Sequence, residues 1–277
     1  MAADPLAPAL ARAAAWLAAA DGLLINAGAG IGIDSGLPDF RGPGGFWGVY
    51  PALGRARIAF EEIANPAAFA SDPQLAWGFY GHRLALYRAT EPHAGFALLR
   101  EIGAQRPQGA FVFTSNVDGQ FQKAGYPAAR ICEIHGSIHH LQCSRPCSER
   151  IWSAAGFVPE VDQAACRLRG EPPHCPQCGA LARPNILMFN DWQWLEQRSA
   201  AQQQALAAWL ATVSRPVVIE IGAGSRIPSV RRFSEHYGQR LIRINPLESA
   251  GPPGSIALPL GGCEAIRRLA EAYAALA

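Results

Sequence analysis

The sequence predicts an α/β fold in which a parallel sheet is covered by helices on both faces and carries a smaller second lobe. Three observations lead to this prediction. Short, nearly all-apolar segments alternate with helical stretches, two of these segments end at glycine-rich turns, and two insertions interrupt the alternation. Strands that are buried on both faces are apolar throughout, as in parallel sheets with helices on each side.

Five apolar segments are predicted to form the strands, and they are residues 22–28, 110–114, 216–222, 240–245 and 255–260. The helical candidates are residues 9–20, 94–106, 199–213, 229–237 and 263–276. The alanine-rich first helix resembles a signal peptide in composition. It contains Arg12 and runs almost directly into the first strand, so we interpret it as part of the fold.

Two insertions define the predicted second lobe. Residues 42–93 begin as a glycine- and aromatic-rich loop and then become helical, and residues 139–185 hold five of the seven cysteines. We therefore predict one α/β domain made of residues 1–41, 94–138 and 186–277. A cleft between two lobes is a common place for a small-molecule site.

Length and charge limit the class of protein. The chain has 277 residues and a net charge of +2, which is too balanced for a protein that binds nucleic acid through a basic face. Its apolar segments are shorter than the roughly 20 residues that span a bilayer. Seven cysteines are an odd number and do not indicate a disulfide framework. We expect a monomeric cytoplasmic protein that binds neither nucleic acid nor membranes.

Two close cysteine pairs predict a structural zinc site. Cys143 and Cys147 are separated by three residues, and Cys175 and Cys178 by two. Four thiolates from two tight turns suit one tetrahedral Zn²⁺ and leave no position for a substrate. Cys166 lies between the pairs but has no partner at such spacing. The segment 139–185 is therefore predicted to be a zinc-binding module.

The first glycine-rich turn places possible phosphate-binding amides beside an unusual loop. Glycines at 28, 30 and 32 let the backbone approach a phosphate closely, although Ile33 replaces the third glycine of the dinucleotide fingerprint. The glycines alone are equally compatible with a structural turn. Residues 35–42 (SGLPDFRG) are more specific, because they put an acid, an aromatic ring and a guanidinium side by side in a loop.

These motifs together resemble the sirtuins, the NAD-dependent protein deacylases. The first signature is matched by Gly28–Gly30 and residues 35–41, the second by residues 114–119 (TSNVDG), and the third by His135-Gly136. The cysteine pairs, residues 183–186 (RPNI) and late loops at 222–224 (GAG) and 244–245 follow in family order. The resemblance covers residues 22 to 263 and implies a Rossmann-like domain that binds NAD against a zinc-bearing lobe.

The resemblance also implies roles for individual residues. His135 is expected to be the general base, and Asn116 and Asp118 to be the pair in the nicotinamide pocket. The further residues expected to bind NAD are Gly28, Ala29, Gly30, Asp39, Phe40, Arg41, Trp47, Ser115, Val117, Gly222, Ala223, Gly224, Asn245, Pro246 and Cys263. Ile186 and Phe189 are expected to contact an acyl-lysine protein or peptide. The implied products are free lysine, nicotinamide and O-acyl-ADP-ribose.

One pattern bears on the acyl group. Tyr80 and Arg83 lie three residues apart on a predicted helix and so share one face. In class III sirtuins such a pair contacts the carboxylate of succinyl- or malonyl-lysine, because arginine offers two parallel donors. The alternative is an amphipathic helix with a surface arginine.

Several positions depart from the family pattern and leave other functions open. Ser115 replaces a glutamine, Asn190-Asp191 replaces Gly-Glu in the loop that pairs with the substrate, and residues 222–225 (GAGS) replace Gly-Thr-Ser. A mono-ADP-ribosyltransferase or NAD glycohydrolase on the same fold is the first alternative, and a nucleotide-sensing protein without catalysis is the second. An intact His135 favours the deacylase.

Overall fold

A six-stranded parallel sheet forms the centre of the larger lobe. The structure, a computed structural model, describes residues 4–38 and 45–276. The strands lie in the order β3-β2-β1-β9-β10-β11, and every neighbouring pair is parallel. Their bounds are β1 Gly22–Ala27, β2 Ala110–Thr114, β3 Ile131–Glu133, β9 Pro216–Ile221, β10 Leu241–Ile244 and β11 Ile256–Leu258. From β1 the chain adds strands towards one edge of the sheet, as far as β3, and from β9 it adds them towards the other edge. The strand order therefore reverses between β1 and β9, and ligands of open α/β sheets bind at such a switch point.

Helices cover both faces of this sheet, as predicted. One apolar cluster packs α1 (Ala7–Ala19), α7 (Ala94–Ala104) and α11 (Gly262–Ala274) on the first face. A second cluster packs α9 (Gln197–Leu210) and α10 (Ser229–Tyr237) on the other. The five predicted strands and five predicted helices are confirmed within a few residues. The edge strand β3 was not predicted.

The smaller lobe has its own apolar core, built from both insertions. Five helices come from the first insertion: α2 Gly45–Val49, α3 Pro51–Arg55, α4 Phe60–Ile63, α5 Pro66–Ser71 and α6 Pro73–Ala89. The strands of this lobe are β4 Gly136–Cys143, β5 Ile151–Ser153, β6 Glu160–Asp162, β7 Arg167–Arg169 and β8 Ala182–Ile186. The short helix α8, Gln120–Lys123, instead packs Phe121 into the first apolar cluster of the larger lobe. One cluster joins rings of α6, such as Trp77 and Phe79, to Leu141 and Leu168 of the cysteine-rich segment.

Nine of the 17 residues of α6 are buried, and the cysteine-rich segment packs across this helix. A Cβ added at Gly78 would lie 2.1 Å from the carbonyl oxygen of Cys166, so the hairpin β6–β7 rests directly on the helix backbone. Asp72 caps the first turn of α6 by accepting from the Leu75 amide. Within the described residues, none of the helices combines the length and apolar character needed to cross a membrane.

Candidate functional site

The site begins where β1 and β9 end, at two loops whose backbones touch. The amide of Gly30 donates to the carbonyl of Gly222 at 3.0 Å. A Cβ on Gly28 would lie 2.7 Å from the Gly222 oxygen, and one on Gly30 would lie 2.7 Å from the Gly222 Cα. Gly222 itself has a φ of 62°, which favours glycine. Glycine is required at these positions so that the two loops can meet at the switch point.

The loop after β9, residues 222–228, is here called the nucleotide loop, after the role that the sequence resemblance predicts for it. Ala223 is buried, Gly224 is half-buried, and Ala29 on the facing loop is exposed. The buried side chain of Asn245, at the end of β10, donates to the Ala223 carbonyl at 3.0 Å. Its oxygen accepts from the amides of Leu247 and Glu248. Asn245 therefore fixes the nucleotide loop, while Pro246 is exposed beside it.

Asn116 and Asp118 follow β2 and are both buried. The Asn116 side chain donates to the carbonyl of Gly28 at 3.2 Å, which joins the second signature to the glycine-rich turn. Asp118 Oδ1 accepts from the Gln120 amide at 2.9 Å. Burial raises the pKa of Asp118 to about 6, although the hydrogen bond from Gln120 acts in the opposite direction and lowers it. Ser115 and Val117 hold the segment through their backbones, to Ala27 and Ile138.

His135 lies between β3 and β4, beside the same segment. Burial lowers the pKa of its imidazole, and a hydrogen bond with the Ser115 main chain opposes this effect. The His135 carbonyl accepts from the Leu187 amide at 2.9 Å, so the residue touches the loop after β8. A half-buried imidazole with a depressed pKa is neutral at pH 7 and can accept a proton.

Residues 187–191 form the segment here called the substrate loop, after the role that the sequence resemblance predicts for it. Ile186 is buried at the end of β8, and the Phe189 amide donates to the Ala64 carbonyl at 2.9 Å. Asp191 makes a bidentate ion pair with Arg183, at 2.7 and 2.8 Å. Asn190 takes a φ of 54°, a conformation that asparagine tolerates better than most residues. Asn190 and Asp191, the two residues that differ from the family pattern, thus form a turn that the ion pair with the buried Arg183 holds in place.

Tyr80 and Arg83 are both buried on α6, where Arg83 is 9% exposed. The interpretation of Arg83 as a surface arginine is therefore wrong. Its Nε and Nη2 donate to the Tyr87 hydroxyl at 3.0 and 2.7 Å, and its guanidinium lies over the rings of Phe79, Tyr80 and Tyr87. The positive charge of Arg83 partly offsets the rise that burial causes in the pKa of Asp118, so Arg83 lies close enough to the second signature to act on its charge.

The other residues expected to bind NAD are Trp47 and Cys263, which lie on two different helices, and Asp39, Phe40 and Arg41. Trp47 on α2 is 44% exposed and donates to the Ile58 carbonyl at 2.9 Å. Cys263 begins α11, and its amide donates to Asp34 Oδ2 at 2.7 Å. Asp39, Phe40 and Arg41 lie outside the described residues.

Two acids that the sequence did not single out support these loops. Asp34 holds the start of α11, as described above. Glu248 accepts from the Ser225 amide at 3.0 Å and pairs with Arg231 at 3.2 Å. No local spacing connects Glu248 with Ser225, which is 23 residues away, so sequence patterns contained no signal for this contact.

The four paired cysteines converge as predicted. Cys143, Cys147, Cys175 and Cys178 place their sulfur atoms within 4.8 Å of one another. The Cys143–Cys178 and Cys147–Cys175 sulfur distances are both 3.7 Å. Four sulfurs at about 2.3 Å from a tetrahedral zinc would lie about 3.8 Å apart. The cluster therefore fits one Zn²⁺, and Cys166 lies outside it, buried against α6.

Comparison with known proteins agrees with this geometry. The Sir2 family model matches residues 28–213. The chain is 33% identical to NAD-dependent protein deacylase 2 of Pyrobaculum aerophilum, over 86% of this chain and 84% of that one. It is 34% identical to the NAD-dependent protein deacylase of Pyrococcus furiosus, over 82% of each.

A solved structure has the same fold. The crystal structure of a Sir2 homologue bound to NAD superposes with a TM-score of 0.72 at 23% identity, covering 96% of this chain and 94% of that one. At this identity the likeness concerns the fold. The family match and the relatives' coverage establish more, and the chain belongs to the Sir2 family.

Proposed function

We propose that the protein is an NAD-dependent protein-lysine deacylase, which transfers the acyl group of an acyl-lysine to ADP-ribose and releases nicotinamide. The observation that carries this proposal is the meeting of Asn116, Asp118 and His135 beside the touching glycine loops at the switch point. The names of the related proteins support the same activity.

The glycine loops and the second signature suit the two ends of NAD. Gly28, Ala29 and Gly30 face the nucleotide loop without side chains larger than a methyl group, so a phosphate can come close to the backbone there. The amides of Gly28 and Gly30 themselves donate to Ile221 and Gly222 and hold the turn in this shape. Asn116 and Asp118 present amide and carboxylate groups of the kind that a carboxamide pairs with. When bound, NAD supplies the ribose carbon that reacts and the hydroxyl that receives the acyl group.

His135 provides the base in this proposal. Its depressed pKa keeps the imidazole neutral at pH 7, so it can take a proton from a hydroxyl at the reacting centre. The contact between its carbonyl and the Leu187 amide ties the base to the substrate loop. Substrate binding along this loop would therefore set the position of the acyl-lysine relative to the base, which is how orientation contributes to rate.

We further propose that Tyr80 and Arg83 contact the acyl group and favour succinyl- or malonyl-lysine over acetyl-lysine. Arg83 carries a buried positive charge near the second signature, and its Nε and Nη2 would move from the Tyr87 hydroxyl to the carboxylate of the acyl group. The zinc site has a structural role here, because four sulfurs fill its coordination shell and hold β4 to the turn before β8.

The proposal is tested by incubating the protein with NAD and matched acetyl-, succinyl- and malonyl-lysine peptides. We expect NAD-dependent loss of the acyl group in wild type, and a loss of activity of at least 100-fold in His135→Ala, the range of a missing general base. Arg83→Met should lower kcat/KM for the two acidic acyl groups more than for acetyl. Hydrolysis of NAD with every peptide untouched would contradict the proposal.

A further inference from the structure

An exposed ion pair connects the two lobes next to the substrate loop. Arg226 lies in the nucleotide loop, two residues after Gly224, and its Nη2 donates to Glu61 Oε1 at 2.5 Å. Glu61 belongs to α4 of the smaller lobe. The two side chains are 74% and 41% exposed, so this pair adds little to folding stability.

The position of α4 places this pair at the rim of the candidate site. Ala64 directly follows α4, and its carbonyl accepts from the Phe189 amide at 2.9 Å. The ring of Phe60, at the start of α4, meets the Phe189 ring edge-on at 5.9 Å. The contacts therefore run from His135 through the substrate loop to α4, and from Glu61 across to the nucleotide loop.

We propose that Arg226 makes the protein prefer acyl-lysine substrates with an acidic residue next to the modified lysine. This inference rests on the proposed deacylase function. A guanidinium has five N–H donors, and the contact with Glu61 uses the Nη2 group, so Arg226 can bind a second carboxylate without losing the first. A basic residue of the substrate would instead meet the positive charge of Arg226, while Glu61 is already paired.

Neighbouring acids are held by other contacts. Glu62 Oε2 accepts from the Ala59 amide at 2.6 Å, and Glu248 pairs with Arg231. Glu61 thus orients Arg226 at the rim, and the exposed face of the guanidinium is directed to solvent, where a protein substrate arrives.

The test uses acetyl- and succinyl-lysine peptides, and within each series the peptides differ at a single residue, Asp, Asn or Lys, placed before or after the acyl-lysine. In wild type at low salt, kcat/KM for the Asp peptide should exceed that for the Asn peptide by about two- to five-fold, the range of one exposed ion pair. The difference should lie in KM, because Arg226 is proposed to contact a flanking residue of the substrate and not the acyl-lysine itself, and 0.5 M NaCl should reduce it.

Variants separate Arg226 from other charges. Arg226→Gln should abolish the ranking, Arg226→Glu should reverse it, and Glu61→Gln should keep it. Arg267→Gln, which removes another exposed, ion-paired arginine, from α11, should leave the wild-type ranking unchanged. Equal rates for the three peptides, or a ranking that survives Arg226→Gln, would overturn the charge preference alone. No deacylation of any peptide would overturn the proposed function as well.

Discussion

Replacement of Asp191 by alanine should destabilise the protein strongly, although the residue lies in a loop. The side chains of Arg183 and Asp191 are 1% and 0% exposed, and the two hydrogen bonds between them measure 2.7 and 2.8 Å. Asp191 Oδ1 also accepts from the Gln193 amide at 3.1 Å. Asp191→Ala would leave a buried guanidinium without its counter-charge, and breaking such a pair costs about 3–5 kcal/mol.

This loss can be measured by thermal and urea unfolding of zinc-loaded protein. At roughly 2–4 °C per kcal/mol for a chain of this size, Tm should fall by about 6–20 °C. Asp162→Asn is the matched control, because its pair with Arg169 is exposed and should contribute less than about 1 kcal/mol. A loss below 1 kcal/mol in Asp191→Ala would refute the conclusion that this ion pair locks the substrate loop.

Three further predictions follow from the site. Cys175→Ser should lower bound zinc, measured by mass spectrometry of the metal, from one ion per chain towards none, whereas Cys263→Ser should retain it. Gly222→Ala should weaken NAD binding in calorimetry and lower stability by more than Gly254→Ala, because both have positive φ but only Gly222 would place a Cβ against backbone, 2.4 Å from the Ile31 nitrogen. The kcat/KM should fall below about pH 6, where Asp118 gains a proton, and protonation of the base adds to that fall; a profile flat down to pH 5 would contradict these assignments.

The raised pKa of Asp118 also predicts how the stability of the NAD-free protein depends on pH. Its pKa in the folded protein, about 6, lies above the usual value of 3.8, so the folded state binds the proton more tightly than the unfolded state. The contribution of Asp118 is therefore most favourable at low pH and is lost as pH rises through 6. Asp118→Asn should raise Tm relative to wild type at pH 8 and show a smaller gain at pH 5, while abolishing activity.

Sequence patterns located those parts of the fold that depend on local periodicity. The strands β1, β2 and β9 were predicted because each is a nearly continuous apolar run, and α11 because its apolar face repeats at helical spacing. The strand β3 has three residues, Ile131–Glu133, and ends in an acid that pairs with Arg198, so it shows no period. Short strands of the smaller lobe were missed for the same reason.

The candidate site was predictable where a motif is contiguous and not where contacts cross the chain. The cysteine cluster was predicted from spacing within each pair, and the structure brings the pairs together. The Arg183–Asp191 lock, the Glu248–Ser225 contact and the Arg226–Glu61 pair join residues whose separation in sequence follows no pattern, up to 165 residues apart. Tertiary packing decides such contacts, and it also decides that Arg83 is buried.

The most direct test of the central claim is the identity of the product that carries the acyl group. Wild-type protein, NAD and an acyl-lysine peptide should yield equal amounts of nicotinamide, free-lysine peptide and O-acyl-ADP-ribose by mass spectrometry, and His135→Ala should yield none of the acylated product. Free ADP-ribose as the sole nucleotide product, or ADP-ribose attached to protein with the acyl-lysine intact, would contradict the account.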